Sequence, residues 1–366
     1  IIQNSSRRAN KMNRSEKLIS SLGSTADGII ITDPKNQKYI SGFDFTDGFV
    51  IATHSGTYLL TDFRYIEAAR EQAFPYVKVL LIDQHDPAGS VRSVLDTDGV
   101  RRLAYEEYSL SCLEKSEYEN GILAGYDLVP SGRAIISMRE RKDAGEIATI
   151  IEAQKIADAA FDHILGYITP DRTELDIALE LEFYMRTHGA KSVSFDTIAV
   201  SGTASSRPHG VPSDRKLEEG FLTMDFGALY KGYCSDMTRT VCVGKCTDEM
   251  KRVYETVLEA QLTALDAYSV GKTGAELDGV ARKFITDAGY GEYFGHGLGH
   301  GVGMDIHEAP SVNKRGIVPM DVGHVVTCEP GIYIEGRFGV RIEDMVVFTE
   351  NGPLNITHSP KKLITL

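Results

Sequence analysis

Apolar positions recur with two different periods along this chain, and the change of period divides it. Before residue 130 the apolar runs are short and β-branched. Gly28–Thr32 reads as a strand closed by the turn signal Asp33-Pro34. Residues 49–53 and 57–61 flank His54-Ser55-Gly56 and predict a hairpin; 65–72 reads as a helix and 77–82 as a further strand. After Val129-Pro130-Ser131-Gly132 the period lengthens. Ile147, Ile150, Ile151, Ala153, Ile156, Ala157, Ala160 and Phe161 lie at helical spacing and predict an amphipathic helix over 144–164. Three more helices are expected over 173–188, 251–268 and 276–289, followed by a strand-rich end. The spacing therefore predicts a smaller α/β domain over 13–133 and an α+β domain over 137–366. No repeat of 20–50 residues is visible, and residues 1–11, polar and basic, read as an extension outside the fold.

Composition narrows the function classes. Lys+Arg 39 against Asp+Glu 52 leaves −13, which disfavours nucleic acid and anionic membrane as partners. No apolar run approaches the ~18 residues of a membrane span. Five cysteines (Cys112, Cys234, Cys242, Cys246, Cys328) form no paired C-x-x-C pattern, which fits a reducing, cytoplasmic setting better than a disulfide framework.

The chemistry concentrates in the second domain. Residues 221–241 form two strand-like runs around Lys231-Gly232, a two-residue turn. Pairing Tyr230 with Tyr233 sets Gly227 opposite Asp236 and makes Asp225 its diagonal neighbour. Diagonal positions sit about 7–8 Å apart, close enough for two carboxylates to converge. Like charges on a buried face need a cation or proton between them, whereas an exposed hairpin needs neither.

Gly295–Gly303 places glycine at every second position. Read as extended chain, its glycine face lets another backbone approach closely, and the opposite face carries His296 and His300 about 13 Å apart. His307 has the opposite parity, so a bend must intervene if it points the same way. Glu329 ends a β-branched run before Pro330-Gly331. In 340–348, read as one strand, alternation puts Arg341 and Glu343 on one face and Asp344 on the other. The alternative there is a surface Arg–Glu pair.

Asp225, Asp236, His300, Glu329 and Glu343 together offer four carboxylates and one imidazole. About two divalent cations would balance them, and an oxygen-rich set suits Mn²⁺, with Co²⁺ or Zn²⁺ as alternatives. Two metals about 3.5–4 Å apart hold a hydroxide and polarise a carbonyl, which is the two-metal hydrolysis arrangement.

The sequence resembles the pita-bread metallopeptidases, which include methionine aminopeptidase, aminopeptidase P and prolidase. The resemblance rests on Met224–Gly227, Ser235–Thr240, Gly299–Gly303, His307-Glu308, Cys328–Gly331 and Arg341–Asp344. Weaker markers, Tyr39–Phe43 and Leu60–Tyr65, resemble the creatinase/prolidase-type N-terminal domain. Creatinase itself lacks the metal ligands present here.

The resemblance implies a binuclear-metal Xaa-Pro peptidase, either an aminopeptidase or a dipeptidase, acting on proline-containing peptides or dipeptides as a homodimer. It implies that Asp225 chelates one metal, that Asp236 and Glu343 bridge both, and that His300 and Glu329 hold the second. Glu329 would also shuttle a proton. His209, in Arg207-Pro208-His209-Gly210, matches a pocket histidine, and His296 and His307 match positions that bind substrate and stabilise the tetrahedral intermediate. Arg341 would orient a carboxylate or meet one on the substrate. A methionine aminopeptidase-like enzyme and a non-catalytic binding protein of the same fold are the competing readings.

Overall fold

The computed structural model describes residues 12–366, so the reading of residues 1–11 lies outside the described residues. The chain divides into two compact units, the first ending at Met138 and the second spanning Arg139–Leu366. No helix of the described residues is long and apolar enough to cross a membrane.

The first unit is built on a six-stranded mixed sheet. Its order is Val77–Leu81, Thr57–Thr61, Gly48–Thr53, Gly28–Ile31, Arg102–Tyr105, Asp127–Pro130. The expected hairpin is present, with Phe49 opposite Leu60 and Ile51 opposite Tyr58. Gly28–Ile31 sits inside the sheet, buried along its whole length, which is why its four residues carry no polar alternation.

The second unit is α+β. Its helices pair as Ala144–Leu165 with Glu174–Thr187, and Asp248–Ala267 with Gly274–Asp287. Thr173 and, a hundred residues on, Thr273 each close a capping box with an acidic residue three positions later. This likeness of the two helix pairs is a long-range repeat, too distant for a search at short periods. The third helix starts at Asp248, earlier than the apolar spacing suggested, because Thr247 caps it and its first turn is polar.

Between the helix pairs lie the strands that carry the chemistry. Gly220–Phe226 pairs antiparallel with Met237–Val243 and with Ile198–Ser201. A five-stranded sheet has the order Glu308–Val312, Gly299–Gly301, Val325–Cys328, Asp344–Thr349, Gly352–Asn355. Gly331–Ile334 and Phe338–Arg341 form a separate hairpin. Apolar clusters lie beneath each helix pair, one including Phe161, Leu181 and Met224, the other Tyr254, Ala281 and Phe348.

Three local expectations are corrected. The hairpin register holds, with Tyr230 opposite Tyr233 and Thr238 opposite Asp225, but the hairpin is not continuous. Its strands break at Gly227 and at Ser235-Asp236, and its tip joins Ser192–Val193 in another sheet. A Cβ on Gly227 would lie 1.9 Å from the Ser235 carbonyl oxygen, so the crossing is closed to any side chain. Second, only Gly299–Gly301 of the glycine-histidine segment is strand, and its pairing shifts register there, so the strand spacing inferred for His296 and His300 does not apply. The close approach itself is real: a Cβ on Gly299 would meet the Thr327 carbonyl oxygen at 2.2 Å, and one on Gly301 that of Ala309 at 2.3 Å. Third, 340–348 is two strands, Phe338–Arg341 and Asp344–Thr349, separated at Ile342-Glu343. There the Glu343 N–H leaves its own hairpin and donates to the Thr238 carbonyl at 3.1 Å.

Candidate metal centre

One cavity of about 540 Å³ in the second unit is lined by all nine residues singled out from the sequence: His209, Asp225, Asp236, His296, His300, His307, Glu329, Arg341 and Glu343. Asp225 comes from the strand Gly220–Phe226, and Asp236 from the break before its partner. His300 lies mid-way along its short strand; Glu329 and Glu343 follow and precede strand ends. Asp225 and Asp236 thus belong to one strand pairing, whereas His300, Glu329 and Glu343 lie on or beside three neighbouring strands of the five-stranded sheet.

The convergence is tight. Asp236, His300 and Glu343 each offer a ligand atom within 4.8 Å of the others. His300 Nε2 stands 3.5 Å from Asp236 Oδ2 and 3.3 Å from Glu329 Oε1. The His300 Nδ1 faces the Gly301 carbonyl at 3.1 Å, which assigns the proton to Nδ1 and leaves the Nε2 lone pair turned towards the carboxylates. A neutral imidazole presented this way offers a lone pair to a cation rather than a charge to the carboxylates.

The carboxylates are held by hydroxyls and one guanidinium. Thr238 Oγ1 donates to Glu343 Oε2 at 2.7 Å, and Thr327 Oγ1 donates to Glu329 Oε1 at 3.1 Å. Arg341 donates to Asp225 Oδ2 at 2.6 Å, to Thr238 Oγ1 at 2.9 Å and to the Tyr333 hydroxyl at 2.8 Å. The surface Arg–Glu pair is excluded, since Arg341 and Glu343 are buried and share the Thr238 hydroxyl instead of a solvent-exposed contact. Alternation nevertheless separated the faces correctly, because Asp344 turns away to pair with Arg239 and Lys361.

Charge does not balance. Burial, followed by the Glu343 and Asp225 charges, pushes the Asp236 carboxyl well above the usual carboxylate range; burial, with Glu329 and Asp225, does the same to Glu343. Burial raises Glu329 to about 8 against the opposing pull of Arg341. Asp225 Oδ1 and Glu343 Oε1 are buried with no hydrogen-bond partner. Unpartnered, buried, acceptor-only oxygens beside an imidazole lone pair are what divalent cations with oxygen and nitrogen ligands require. The residue set fits such ions.

Around this cluster the buried histidines are held towards the neutral form. Burial lowers His296 to about 4 and lowers His300 and His307 as well. His307 closes edge-on against His300, with ring centroids 4.4 Å apart, after the bend its parity required. His296 Nε2 meets the Tyr333 hydroxyl at 3.0 Å, and His209 is exposed at the cavity wall.

Sequence reasoning missed Thr238, Thr327 and Tyr333. Thr238 and Thr327 each lie two residues from a proposed ligand, on the same strand parity, a signal available in the sequence. Tyr333 gave none: it bridges Arg341 and His296 only because its hairpin folds over the cavity, with Tyr333 opposite Gly339.

Residues 148–350 match metallopeptidase family M24, and residues 14–141 match the creatinase/prolidase N-terminal domain. The chain is 44% identical over 359 residues to the Uncharacterized peptidase YqhT of Bacillus subtilis, covering 97% of this chain and 100% of that one. It is 37% identical over 342 residues to the Xaa-Pro dipeptidase of Pyrococcus horikoshii, covering 92% and 94%. Two solved structures superpose closely. The Xaa-Pro dipeptidase from Bacillus anthracis gives a TM-score of 0.92 at 42% identity over 96% of this chain and 99% of that one. The X-Pro aminopeptidase from Thermotoga maritima gives 0.91 at 36% identity, over 97% and 100%.

Proposed function

The chain belongs to metallopeptidase family M24, with a creatinase-type N-terminal domain and a pita-bread catalytic domain, and from that premise we propose that it is a binuclear-metal Xaa-Pro peptidase. It cleaves the bond between an N-terminal residue and a following proline, as an aminopeptidase or a dipeptidase. The proposal takes 13–133 as the N-terminal domain and 137–366 as the catalytic one. The observation that carries it is the cavity in which four carboxylates and the His300 lone pair converge around two unpartnered carboxylate oxygens.

Asp225, Asp236, His300, Glu329 and Glu343 would hold two divalent cations. When bound, those cations polarise the scissile carbonyl and acidify the attacking water. The chain's own groups do the rest. Glu329 keeps one oxygen on Thr327 and has the other free to take the water's proton and pass it to the departing proline nitrogen. His307, neutral and against His300, presents a ring N–H to the oxygen of the tetrahedral carbon. His296 and His209 wall the substrate. Arg341 acts on Asp225: all three of its nitrogens are engaged within the protein, which favours an orienting role over capture of a substrate carboxylate. Proline suits such a site because it has no backbone N–H to offer a strand-like binding groove, whereas attack on the carbonyl does not need one.

The test is hydrolysis of Xaa-Pro against Xaa-Pro-Yaa-Zaa peptides by chelated protein resupplied with Mn²⁺, Co²⁺ or Zn²⁺ in turn. Metal-dependent release of Xaa from either is expected, and the ratio assigns dipeptidase or aminopeptidase. Release from Met-initiated peptides lacking proline would favour the methionine aminopeptidase reading instead.

A further inference from the structure

His307 reaches the cavity at the end of a run of bends, Gly303 to His307, so something must hold those bends. The segment from Gly303 to His307 has no regular structure, and the first residue beyond it, Glu308, opens the next strand. The Glu308 side chain points away from the metal centre into a buried pair of cations. Its Oε1 meets Lys142 Nζ at 2.5 Å and its Oε2 meets Arg139 at 3.1 Å, with the Glu308 and Arg139 side chains 9% exposed and Lys142 1%. Arg139 also meets Asp305 Oδ2 at 2.5 Å, so one guanidinium grips both sides of the segment that carries His307. Lys142 is fixed in turn, its backbone N–H donating to the Gly323 carbonyl at 2.9 Å. A Cβ on Gly303 would lie 2.3 Å from Glu308 Oε1, so the loop closes tightly on this carboxylate.

We propose that Glu308, clamped by Lys142 and Arg139, is a positioning residue that sets the His307 ring over the metal centre, and that Lys142 and Arg139 act on the reaction through it. None of the three lines the catalytic cavity. A buried carboxylate between two buried cations is costly to leave unpaired, and the Arg139 hydrogen bond to Oε2 gives the pairing its direction, so the loop's other conformations are resisted. The inference rests on the proposed role of His307 for its kinetic consequence, but not for its geometry.

The experiment is a double-mutant cycle with a spectroscopic arm. Glu308→Gln is expected to lower kcat at least ~10-fold while KM changes less than ~3-fold. In the His307→Ala background the same change is expected to cost less than ~2-fold, because its route to the reaction is already gone. If Glu308→Gln is too unstable to purify, Asp305→Asn, whose side chain is 40% exposed, replaces it with a smaller effect of the same pattern. The Cε1–H signal of His307, identified by its loss in His307→Ala, is expected to shift or broaden in either variant. That signal does not depend on which substrate the enzyme takes, so it stands even if no Xaa-Pro peptide is cleaved. Independent, multiplying losses of kcat would overturn the proposal, as would an unmoved His307 signal.

Discussion

Glu343 shows how far one side chain depends on neighbours from elsewhere in the chain. Its Oε2 is held by Thr238 and its Oε1 has no protein partner. Replacing it by Gln keeps the shape but puts an amide in place of an anion that a cation needs. Turnover of an Xaa-Pro substrate should fall at least ~10²-fold, the usual size for loss of one key electrostatic contact, and Glu329→Gln should behave alike. Near-normal rates with full metal content in Glu343→Gln would remove it from the centre. His324 supports a second prediction, on stability. It is buried, and burial, with the Lys142 and Arg141 charges, lowers it to about 4. Its Nδ1 accepts from the Asp321 N–H at 3.1 Å, a bond that the imidazolium cannot make. The unfolded chain takes up this proton as pH falls below about 6.5 while the folded chain refuses it until about 4. Stability should therefore be fully present above pH 6.5 and decline towards pH 4, by up to ~3 kcal/mol for this group. His324→Gln retains an acceptor and does not titrate, so urea midpoints measured at pH 7 and pH 5 should lie closer together in the variant than in the parent.

At the scale of elements, the sequence announced helices and strands but not where strands stop. Helix starts were carried by local signals, Asp143, Thr173 and Thr273 being capping residues whose partners lie three positions on. Strand breaks at Gly227, Ser235-Asp236 and Ile342-Glu343 had no such signal, because each is imposed by a crossing partner: the Ser235 carbonyl at Gly227, and Thr238 at Glu343. Two of the proposed ligands, Asp236 and Glu343, sit at these breaks. Gly299 shows the same dependence in a form that can be tested. Its position admits no Cβ, since the Thr327 carbonyl oxygen stands in the way. Gly299→Ala should push apart the strands that carry His300 and Glu329, costing about 2–4 kcal/mol in unfolding free energy. Elemental analysis should find metal occupancy reduced together with the melting temperature; full occupancy would mean that the strands tolerate the separation.

For the whole molecule, the dominant fact is an unbalanced cluster of carboxylates inside a folded unit. Cations bound only by the native state stabilise it by mass action, so exhaustive chelation should lower Tm and abolish peptidase activity, and Mn²⁺ or Co²⁺ should restore both. Unchanged Tm and full activity in metal-free protein would refute the two-metal reading.

Legible in the sequence were the candidate ligand types, their order along the chain and the register of the hairpin carrying Asp225 and Asp236. Those follow from residue chemistry and from the two-residue period of a strand, both of which are local. It also marked the glycine face that packs against Thr327 and Ala309, since closely packed backbones leave no alternative to glycine there. What needed the folded chain is that the five candidate ligands line one cavity, that Tyr333 joins Arg341 to His296, and that Arg139 and Lys142 grip the segment bearing His307. Those contacts join residues far apart along the chain, through strands that end where another backbone crosses them, and no periodicity in one strand records the position of another.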